Sequence, residues 1–137
     1  YIKEFDKEIN IQQEVKFGSN TRFDFLITKK NFKAFIEVKN VTLKRKPKIA
    51  EFPDAITERG LKHIKELMIA KKKGFDVYLA FVIQREDCKK FKIADDIDPE
   101  YKKLLTVALK KKLKVICYDC KFSSKGIVIN NQINFIE

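Results

Sequence analysis

The spacing of apolar residues predicts a short helix, a strand and a tight turn at the start of the chain. Residues 2–11 carry apolar side chains three and four positions apart, which is the periodicity of an amphipathic helix. Residues 13–17 predict a strand, and the turn after it is predicted by Gly18, Ser19 and Asn20. The chain is therefore expected to begin with a helix and then to enter a sheet.

Two strands joined as a β-hairpin are predicted next. Residues 21–28 and 32–42 are rich in Phe, Ile and Val. The most polar point between the two strands is Lys30-Asn31. A turn centred there places Asp24 directly opposite Glu37. Because cross-strand neighbours have Cβ atoms about 5 Å apart, the hairpin is expected to bring two carboxylates together.

The middle of the chain predicts a basic loop, a helix and a buried strand. Residues 44–50 are predicted as the loop, and Phe52-Pro53-Asp54 is expected to open the helix. That helix is expected to end at Gly74, with an apolar stripe of Leu61, Ile64, Leu67 and Met68. Residues 77–83 are continuously apolar, which is typical of a central strand covered on both faces.

A second long helix and two closing strands are predicted in the last third of the chain. Asp98-Pro99-Glu100 is expected to cap the helix, which runs to about Lys112. Residues 113–118 and 126–135 predict the strands. The order α-β-β-β-α-β-α-β-β indicates the α/β class, with a mixed sheet flanked by helices in a single domain of residues 1–137.

The charge of the chain favours a polyanionic partner. Thirty Lys and Arg residues against nineteen Asp and Glu residues give a formal net charge of +11. Counterion release makes nucleic acid the leading partner class and an anionic membrane surface the second, while a merely solubilising surface remains an open alternative. No apolar run approaches the roughly 20 residues of a membrane span, and no signal-peptide pattern is present, so we expect a cytoplasmic protein outside the membrane.

The cysteines argue against a disulfide framework, because Cys88, Cys117 and Cys120 are odd in number. Cys117 and Cys120 have C-x-x-C spacing, which leaves a zinc or redox role open. No second C-x-x-C pair accompanies them, and they lie in an apolar stretch. Free strand cysteines are therefore the favoured interpretation.

Candidate chemistry lies in the predicted hairpin. Asp24 stands in the middle of an apolar strand, where burying a carboxylate without a partner is costly. On the next strand, the two-residue period places Glu37 and Lys39 on one face, with Ile36 and Val38 on the other. Opposed carboxylates destabilise a sheet unless a cation lies between them. The open alternative is an ordinary salt-bridge cluster on a solvated face of the sheet.

A divalent cation between Asp24 and Glu37 would suit phosphodiester hydrolysis. Two carboxylates are the kind of protein ligand that Mg²⁺ or Mn²⁺ takes beside substrate phosphates. Such an ion activates water and stabilises the charge of the transition state, and the ammonium of Lys39 would orient the water or neutralise charge. These three residues are therefore the candidate catalytic group.

Several segments together resemble the sugar fermentation stimulation protein family (SfsA). The resemblance begins at Phe23-Asp24-Phe25, continues at residues 35–43 (FIEVKNVTL) and residues 52–60 (FPDAITERG), and covers most of residues 12–120. Further matching segments are residues 62–68 (KHIKELM), residues 81–85 (FVIQR) and residues 96–99 (DIDP). The resemblance implies DNA binding, a regulatory link to sugar metabolism in bacteria, and a domain with a PD-(D/E)XK restriction-endonuclease-like core.

The resemblance also assigns roles to residues. It makes Asp24 the Asp of the motif, Glu37 its acidic residue and Lys39 its Lys. Glu14 stands where the family tends to have a Glu, so it is a candidate third acid, and the backbone carbonyl of Val38 is a candidate fourth ligand. The family also has an OB-like domain before this one, and no segment here corresponds to it.

Basic residues near these motifs are candidate DNA contacts. Arg59 and Lys62 lie on the polar side of the first long helix, and Arg85 follows the buried strand at a sheet edge. The basic loop adds Lys44, Arg45, Lys46 and Lys48. An exposed charged helix face and a flexible loop are the alternative interpretations.

Two functional classes remain open at this stage. The first is a metal-dependent nuclease that acts on DNA, with RNA as a further substrate class. The second is a binding module that keeps the nuclease fold without cleavage. His63, the single histidine of the chain, is expected to be a partly buried, hydrogen-bonded imidazole rather than a catalytic base. Many nucleases of this fold act as dimers, so a homodimer is among the arrangements to test.

Overall fold

The computed structural model describes residues 9–137 of the chain, which form ten strands and two helices. In chain order these are β1 (Asn10–Phe17), β2 (Thr21–Lys29), β3 (Phe32–Val41), β4 (Leu43–Lys46), β5 (Ile49–Phe52), α1 (Glu58–Lys72), β6 (Asp76–Ile83), β7 (Lys90–Ile93), α2 (Pro99–Lys110), β8 (Lys114–Ser123), β9 (Gly126–Gln132) and β10 (Asn134–Ile136). The predicted first helix lies mostly outside the described residues, and its last two positions, Asn10 and Ile11, belong to β1 instead.

The strands form one large mixed sheet and one small sheet. The large sheet has the order β1-β2-β3-β6-β8-β9, and the small one has the order β10-β7-β5-β4. In the large sheet, β3, β6 and β8 are parallel, whereas the outer pairs are antiparallel. The predicted mixed sheet flanked by helices is confirmed. Strand β6 lies between β3 and β8, as its continuous apolar sequence predicted.

Both helices pack on the same face of the large sheet. Ile64 and Leu67 of α1 and Leu105 of α2 join the larger core, which also takes in Phe81 of β6 and Phe91 of the small sheet. A second, smaller cluster lies on the opposite face. Its buried members are Ile27, Ala34, Ile36, Tyr78, Ala80, Ile116 and Tyr118. The site described below lies on the helical side of the sheet, where α1 crosses β3.

The start of α1 differs from the prediction. Phe52 ends strand β5, and the helix begins at Glu58 rather than around Asp54. Parallel pairing of β5 with β7 keeps residues 49–52 extended. The helix begins after Thr57, whose hydroxyl caps it by accepting a hydrogen bond from Gly60 N. The second helix begins as predicted, with Asp98 accepting from Tyr101 N.

The predicted basic loop of residues 44–50 is also wrong, because this segment contains most of the β4–β5 hairpin. Strand β7 was not predicted, although its sequence, Lys-Phe-Lys-Ile, alternates polar and apolar side chains. The predicted strand over residues 126–135 is two strands, since β9 pairs with β8 and β10 pairs with β7. The observed order therefore departs from the predicted α-β-β-β-α-β-α-β-β.

A close approach between the helices explains the glycine inside α1. A Cβ atom added at Gly60 would lie 2.7 Å from Thr57 Cγ2 and 2.8 Å from Tyr101 Cε2. The ring of Tyr101, at the start of α2, is fully buried against this point. A helical glycine costs roughly 1 kcal/mol relative to alanine, and here it allows the two helix N-termini to meet.

Candidate active site

Asp24 lies where β2 separates from β3. The register of the hairpin is as predicted, but the ladder ends at the pair Phe25 and Ile36, so Asp24 is not itself paired with Glu37. Phe23 and Phe25, two residues apart, belong to the cores on opposite faces of the sheet, which shows that the alternation of the strand is broken at Asp24. Asp24 Oδ2 instead accepts a hydrogen bond of 2.7 Å from Val38 N.

Glu37, Lys39 and His63 form a compact polar cluster beneath α1. Lys39 Nζ donates to Glu37 Oε1 at 2.9 Å and lies 2.8 Å from His63 Nδ1. His63 Nδ1 also contacts Glu37 Oε1. The side chains of Glu37, His63 and Lys39 are only 4%, 8% and 12% exposed. The Lys39–Glu37 salt bridge of the alternative interpretation is therefore present, but it is buried and does not lie on a solvated face.

The two carboxylates respond to burial in opposite ways. Burial raises the pKa of Asp24 above its usual value, and the charge of Glu37 adds to the increase, while the hydrogen bond from Val38 N opposes it. Burial also acts to raise the pKa of Glu37, but the hydrogen bond with His63 and the charge of Lys39 outweigh it and lower the pKa. Glu37 is therefore held as a carboxylate, whereas a nearby cation would stabilise the ionised form of Asp24.

Candidate oxygen ligands for a cation at this site come from Asp24, Glu37 and Val38. Glu37 Oε2 is buried and has no hydrogen-bond partner among residues 9–137, and Asp24 accepts from Val38 N through Oδ2. The N–H of Val38 points toward Asp24, and in a strand the carbonyl of the same residue points to the same side. Two carboxylates and one carbonyl leave positions for water and phosphate oxygens, which is the coordination that Mg²⁺ prefers.

Glu14 lies near Asp24, and its charge contributes to the raised pKa of that carboxyl. Its side chain is 67% exposed, and it lies 3.9 Å from Arg22 across the β1–β2 pair. Over residues 9–137 no group of three or more His, Cys, Asp or Glu side chains is arranged to hold a metal ion. Asp24 and Glu37 therefore stay the main candidate ligands, and the role of Glu14 stays a prediction.

The basic residues predicted to contact DNA fall into three groups. Arg59 and Lys62 are exposed on α1 beside His63, and all three line one cleft. Three others are held in ion pairs, because Lys44 and Arg85 bind Asp87 while Arg45 binds Glu51 and Asp96. Lys46 and Lys48 are exposed on the β4–β5 hairpin. The geometry therefore favours the α1 group for contacts close to the candidate site.

Cys117 and Cys120 lie in strand β8, and Cys88 lies in the loop between β6 and β7. Cys88, Cys117 and Cys120 are free thiols and are buried. Burial raises the pKa of Cys117 to about 12. A thiol in this state is a poor nucleophile and a poor metal ligand at neutral pH.

Two residues near the site gain importance only from the structure. His63 was expected to be a buried, hydrogen-bonded imidazole, and it is, but the sequence did not show that its partners would be Glu37 and Lys39. Tyr101 has a buried hydroxyl without a partner among the described residues, and burial followed by the charge of Glu37 raises its pKa. The sequence feature that could have indicated the burial of His63 is its position on the apolar face of α1, where Gly60, Ile64 and Leu67 are also buried.

Comparison with known proteins gives consistent results. A family model described as "Sugar fermentation stimulation protein RE domain" matches residues 1–126. The chain is 49% identical over 135 residues to the sugar fermentation stimulation protein homolog of Pelagibacter ubique (strain HTCC1062), covering 98% of this chain and 58% of that protein. The homolog of Bdellovibrio bacteriovorus is 50% identical over 125 residues, covering 90% of this chain and 51% of that protein.

A solved structure is also similar. The structure of Pyrococcus furiosus SfsA in complex with Ca²⁺ matches with a TM-score of 0.86 and 26% identity, covering 96% of this chain and 57% of that one. The chain thus spans little more than half the length of the relatives it matches. Among residues 9–137, no helix has the length and apolar character needed to cross a membrane.

Proposed function

The chain belongs to the sugar fermentation stimulation protein family, and from this premise we propose that it is a DNA-binding nuclease domain with a divalent-metal site at Asp24 and Glu37. The observation that carries the proposal is the buried oxygen Glu37 Oε2, which lacks a partner among residues 9–137 although the carboxyl is held ionised. The charge of Glu37 is paired with Lys39 through Oε1, but a buried carboxylate oxygen without a partner is costly, and a cation at Oε2 would remove that cost. The related Pyrococcus furiosus complex with Ca²⁺ gives independent support for a cation on this fold.

Each side chain of the cluster has a defined task in this proposal. Asp24 and Glu37 hold the ion, with the carbonyl of Val38 as a further oxygen donor. Bound Mg²⁺ or Mn²⁺ would supply activation of water and neutralisation of charge on the phosphoryl oxygens. Lys39, held at Glu37 by its 2.9 Å hydrogen bond, lies where its ammonium can orient water or offset charge on the phosphate. The arrangement of an acid at a strand break followed by Glu-x-Lys supports a PD-(D/E)XK nuclease core.

The basic surface supports nucleic acid as the substrate. The chain carries a net charge of +11, and Arg59 and Lys62 project beside the candidate metal site. Phosphate contacts from such residues position a strand without reading its sequence. We therefore expect binding that depends strongly on salt and weakly on base sequence.

A binding module without cleavage is the second candidate function. It is favoured by the contacts of Lys39, whose Nζ is already engaged by Glu37 and lies against His63. If those contacts persist when DNA binds, the ammonium would not reach a water or a phosphate. The domain would then act as a DNA-binding or regulatory protein, as the family's link to sugar metabolism suggests.

Metal titration combined with cleavage separates the two candidates. Calorimetric titration with Mg²⁺, Mn²⁺ and Ca²⁺ is carried out on the wild type, Asp24→Asn and Glu37→Gln. Glu100→Gln is the control, because Glu100 is exposed in the first turn of α2. We expect binding of about one ion, lost in both site variants and retained in the control.

Activity is then measured on single-stranded DNA, duplex DNA and RNA. Metal-dependent cutting of any of them, absent in the Glu37→Gln variant, would establish the nuclease and its substrate class. DNA retention without metal binding or cutting would support the binding module instead.

A further inference from the structure

A buried tyrosine hydroxyl lies near the polar cluster of Glu37, Lys39 and His63 without a hydrogen bond of its own. Tyr101, in the first turn of α2, is 0% exposed, and its Oη has no hydrogen-bond partner among residues 9–137. A buried hydroxyl without a partner destabilises a fold, so such groups are usually bonded to the protein or to ordered water. The direction in which this hydroxyl points therefore decides what it binds.

The ring of Tyr101 is held between α1 and the sheet. Its Cε2 carbon lies 2.8 Å from the position that a Cβ atom would take at Gly60. The ring also packs on Phe52, with centroids 5.3 Å apart, and Phe52 packs in turn on Phe81. Phe81 is the partner of Lys39 in the parallel pairing of β6 with β3. The ring therefore lies over the part of the sheet that carries the cluster.

Asp98 fixes this placement. Its two carboxyl oxygens accept hydrogen bonds from Tyr101 N and from Thr57 N, at 2.9 Å each. Thr57 is the N-cap of α1 and Asp98 is the N-cap of α2, so one buried side chain joins the starts of both helices. A shift of Tyr101 relative to α1 would break this hydrogen bonding.

Two observations direct the hydroxyl toward Glu37. The charge of Glu37 raises the pKa of Tyr101 more than the charge of Asp98 does, although Asp98 is bonded to the backbone of Tyr101. Because such effects fall with distance, the phenol oxygen lies toward Glu37. In addition, Glu37 Oε2 is buried without a partner among residues 9–137, while Oε1 is engaged by Lys39 and His63. The two unpartnered atoms are thus a donor and an acceptor.

A water molecule is the group that fits between two such atoms. Tyr101 Oη and Glu37 Oε2 do not bond to each other, since neither has a partner among the described residues. A water accepts from a phenol O–H and donates to a carboxylate, and buried waters typically bond to polar groups that would otherwise lack partners. A bridge of this kind satisfies both atoms without moving either helix.

We propose that Tyr101 is a positioning residue for Glu37, whose Oε2 it holds through one buried water molecule. The bridge fixes the carboxyl at its second oxygen, as Lys39 and His63 fix it at Oε1. Because a phenol both donates and accepts, it can keep the same water when a cation occupies Oε2. The role of Oε2 as a cation ligand rests on the proposed function, but the link between Tyr101 and Glu37 requires neither metal nor cleavage.

The link is tested by a double-mutant cycle on the metal-free protein in EDTA. Tyr101→Phe removes the hydroxyl and keeps the ring that packs on Phe52, and it is made in the wild type and in Glu37→Gln. Tyr78→Phe is the matched control, because it removes a hydroxyl that accepts from Lys114 at 3.1 Å and lies in the cluster on the opposite face of the sheet. Urea denaturation gives the midpoint of each variant.

The bridge predicts that Tyr101→Phe lowers the urea midpoint of the wild type, and that the decrease in Glu37→Gln is about half as large or smaller, because an amide is a weaker acceptor than a carboxylate. Tyr78→Phe should have the same effect in both backgrounds. A midpoint that Tyr101→Phe leaves unchanged or raises would overturn the proposal, since the hydroxyl would then have no partner. An equal decrease in both backgrounds would also overturn it, since the hydroxyl would then act on a group other than Glu37.

Calorimetric titration with Mg²⁺ tests the positioning of Oε2. Tyr101→Phe should weaken the affinity for Mg²⁺ by about tenfold, the usual effect of removing a partner of a metal ligand, and Tyr78→Phe by less than about twofold. An unchanged affinity in Tyr101→Phe would overturn the positioning role. A wild type that binds no cation would contradict the proposed function instead, and the metal-free cycle would still decide whether Tyr101 holds Glu37.

Discussion

At the scale of single residues, the candidate site is marked by the hydrogen bond from Val38 N to Asp24 Oδ2, at the point where β2 separates from β3. A carboxylate between Phe23 and Phe25 required a reason, and the hairpin register that places it near Glu37 is confirmed by the pairing of Phe25 with Ile36. The strand break at Asp24 could not be predicted from the sequence. It accompanies the hydrogen bond from Val38 N, and Phe23 and Phe25 on either side of it pack into cores on opposite faces of the sheet.

His63 is best understood as a positioning residue for Glu37. Its imidazole contacts Glu37 Oε1, the oxygen that also accepts from Lys39, and so orients the carboxyl with Oε2 unengaged. We predict that His63→Ala weakens Mg²⁺ binding by roughly tenfold, the usual effect of removing a partner of a metal ligand. Calorimetric titration measures the affinity.

The matched variants for this prediction are His63→Asn and Lys65→Ala. His63→Asn keeps a short hydrogen-bonding side chain and should restore part of the affinity, and Lys65→Ala changes only an exposed position of α1. An unchanged Mg²⁺ affinity in His63→Ala would mean that the imidazole fills space and does not orient the carboxyl.

At the scale of elements, the contact between the two helix N-termini gives a prediction on stability. Alanine has the higher helix propensity, but a Cβ atom at position 60 would lie within 2.8 Å of both Thr57 and Tyr101 side-chain carbons. We predict that Gly60→Ala lowers the free energy of unfolding by about 1–3 kcal/mol, the usual cost of overpacking. Urea denaturation measures it, and a rise in stability would show that the helices can move apart.

A second element-scale feature is the ion-pair network that ties the small sheet to the start of α2. Arg45 of β4 donates to both oxygens of Glu51 and to both oxygens of Asp96, and Lys92 also contacts Glu51. Glu51 is 1% exposed. Arg45, predicted from the sequence as part of a loop that binds DNA, is thus engaged within the fold.

The network predicts how stability depends on pH. Hydrogen bonds from Arg45 lower the pKa of Glu51 below 4.5 and that of Asp96 to about 2. A carboxyl with a lowered pKa in the folded state stabilises the fold above its unfolded pKa, and this stabilisation is lost as the pH falls through the folded pKa. The advantage of the wild type over Arg45→Gln should therefore be present at about pH 5 and shrink toward pH 2.

Urea midpoints at several pH values check this prediction, with Lys46→Gln as the control, because Lys46 is exposed on the same hairpin. A stability difference between wild type and Arg45→Gln that does not change with pH would contradict it.

Long elements such as β6 were predictable from their hydrophobic pattern. The four-residue strands β5 and β7 were not, since their pairing depends on partners distant in the chain.

At the scale of the whole molecule, charge and topology together define the expected substrate. The net charge of +11 could be inferred from composition. Which basic side chains are available to DNA could not, because Lys44, Arg45 and Arg85 form ion pairs with acids that are distant in sequence or lie in a loop. We predict that the affinity for duplex DNA falls steeply between about 50 and 200 mM salt. Anisotropy at several salt concentrations measures the slope, and an affinity insensitive to salt would contradict phosphate-based binding.

The measurement that tests the central claim most directly is nicking of supercoiled plasmid in Mg²⁺ or Mn²⁺ by the wild type, Asp24→Ala and Lys39→Ala at matched purity. Lys125→Gln, at the opposite edge of the sheet, is the control for a lost positive charge. The proposed site predicts cutting by the wild type and the control that requires the metal and is abolished by both site variants. Cutting that persists in both site variants, or none by any form together with salt-sensitive DNA retention by all, would contradict it.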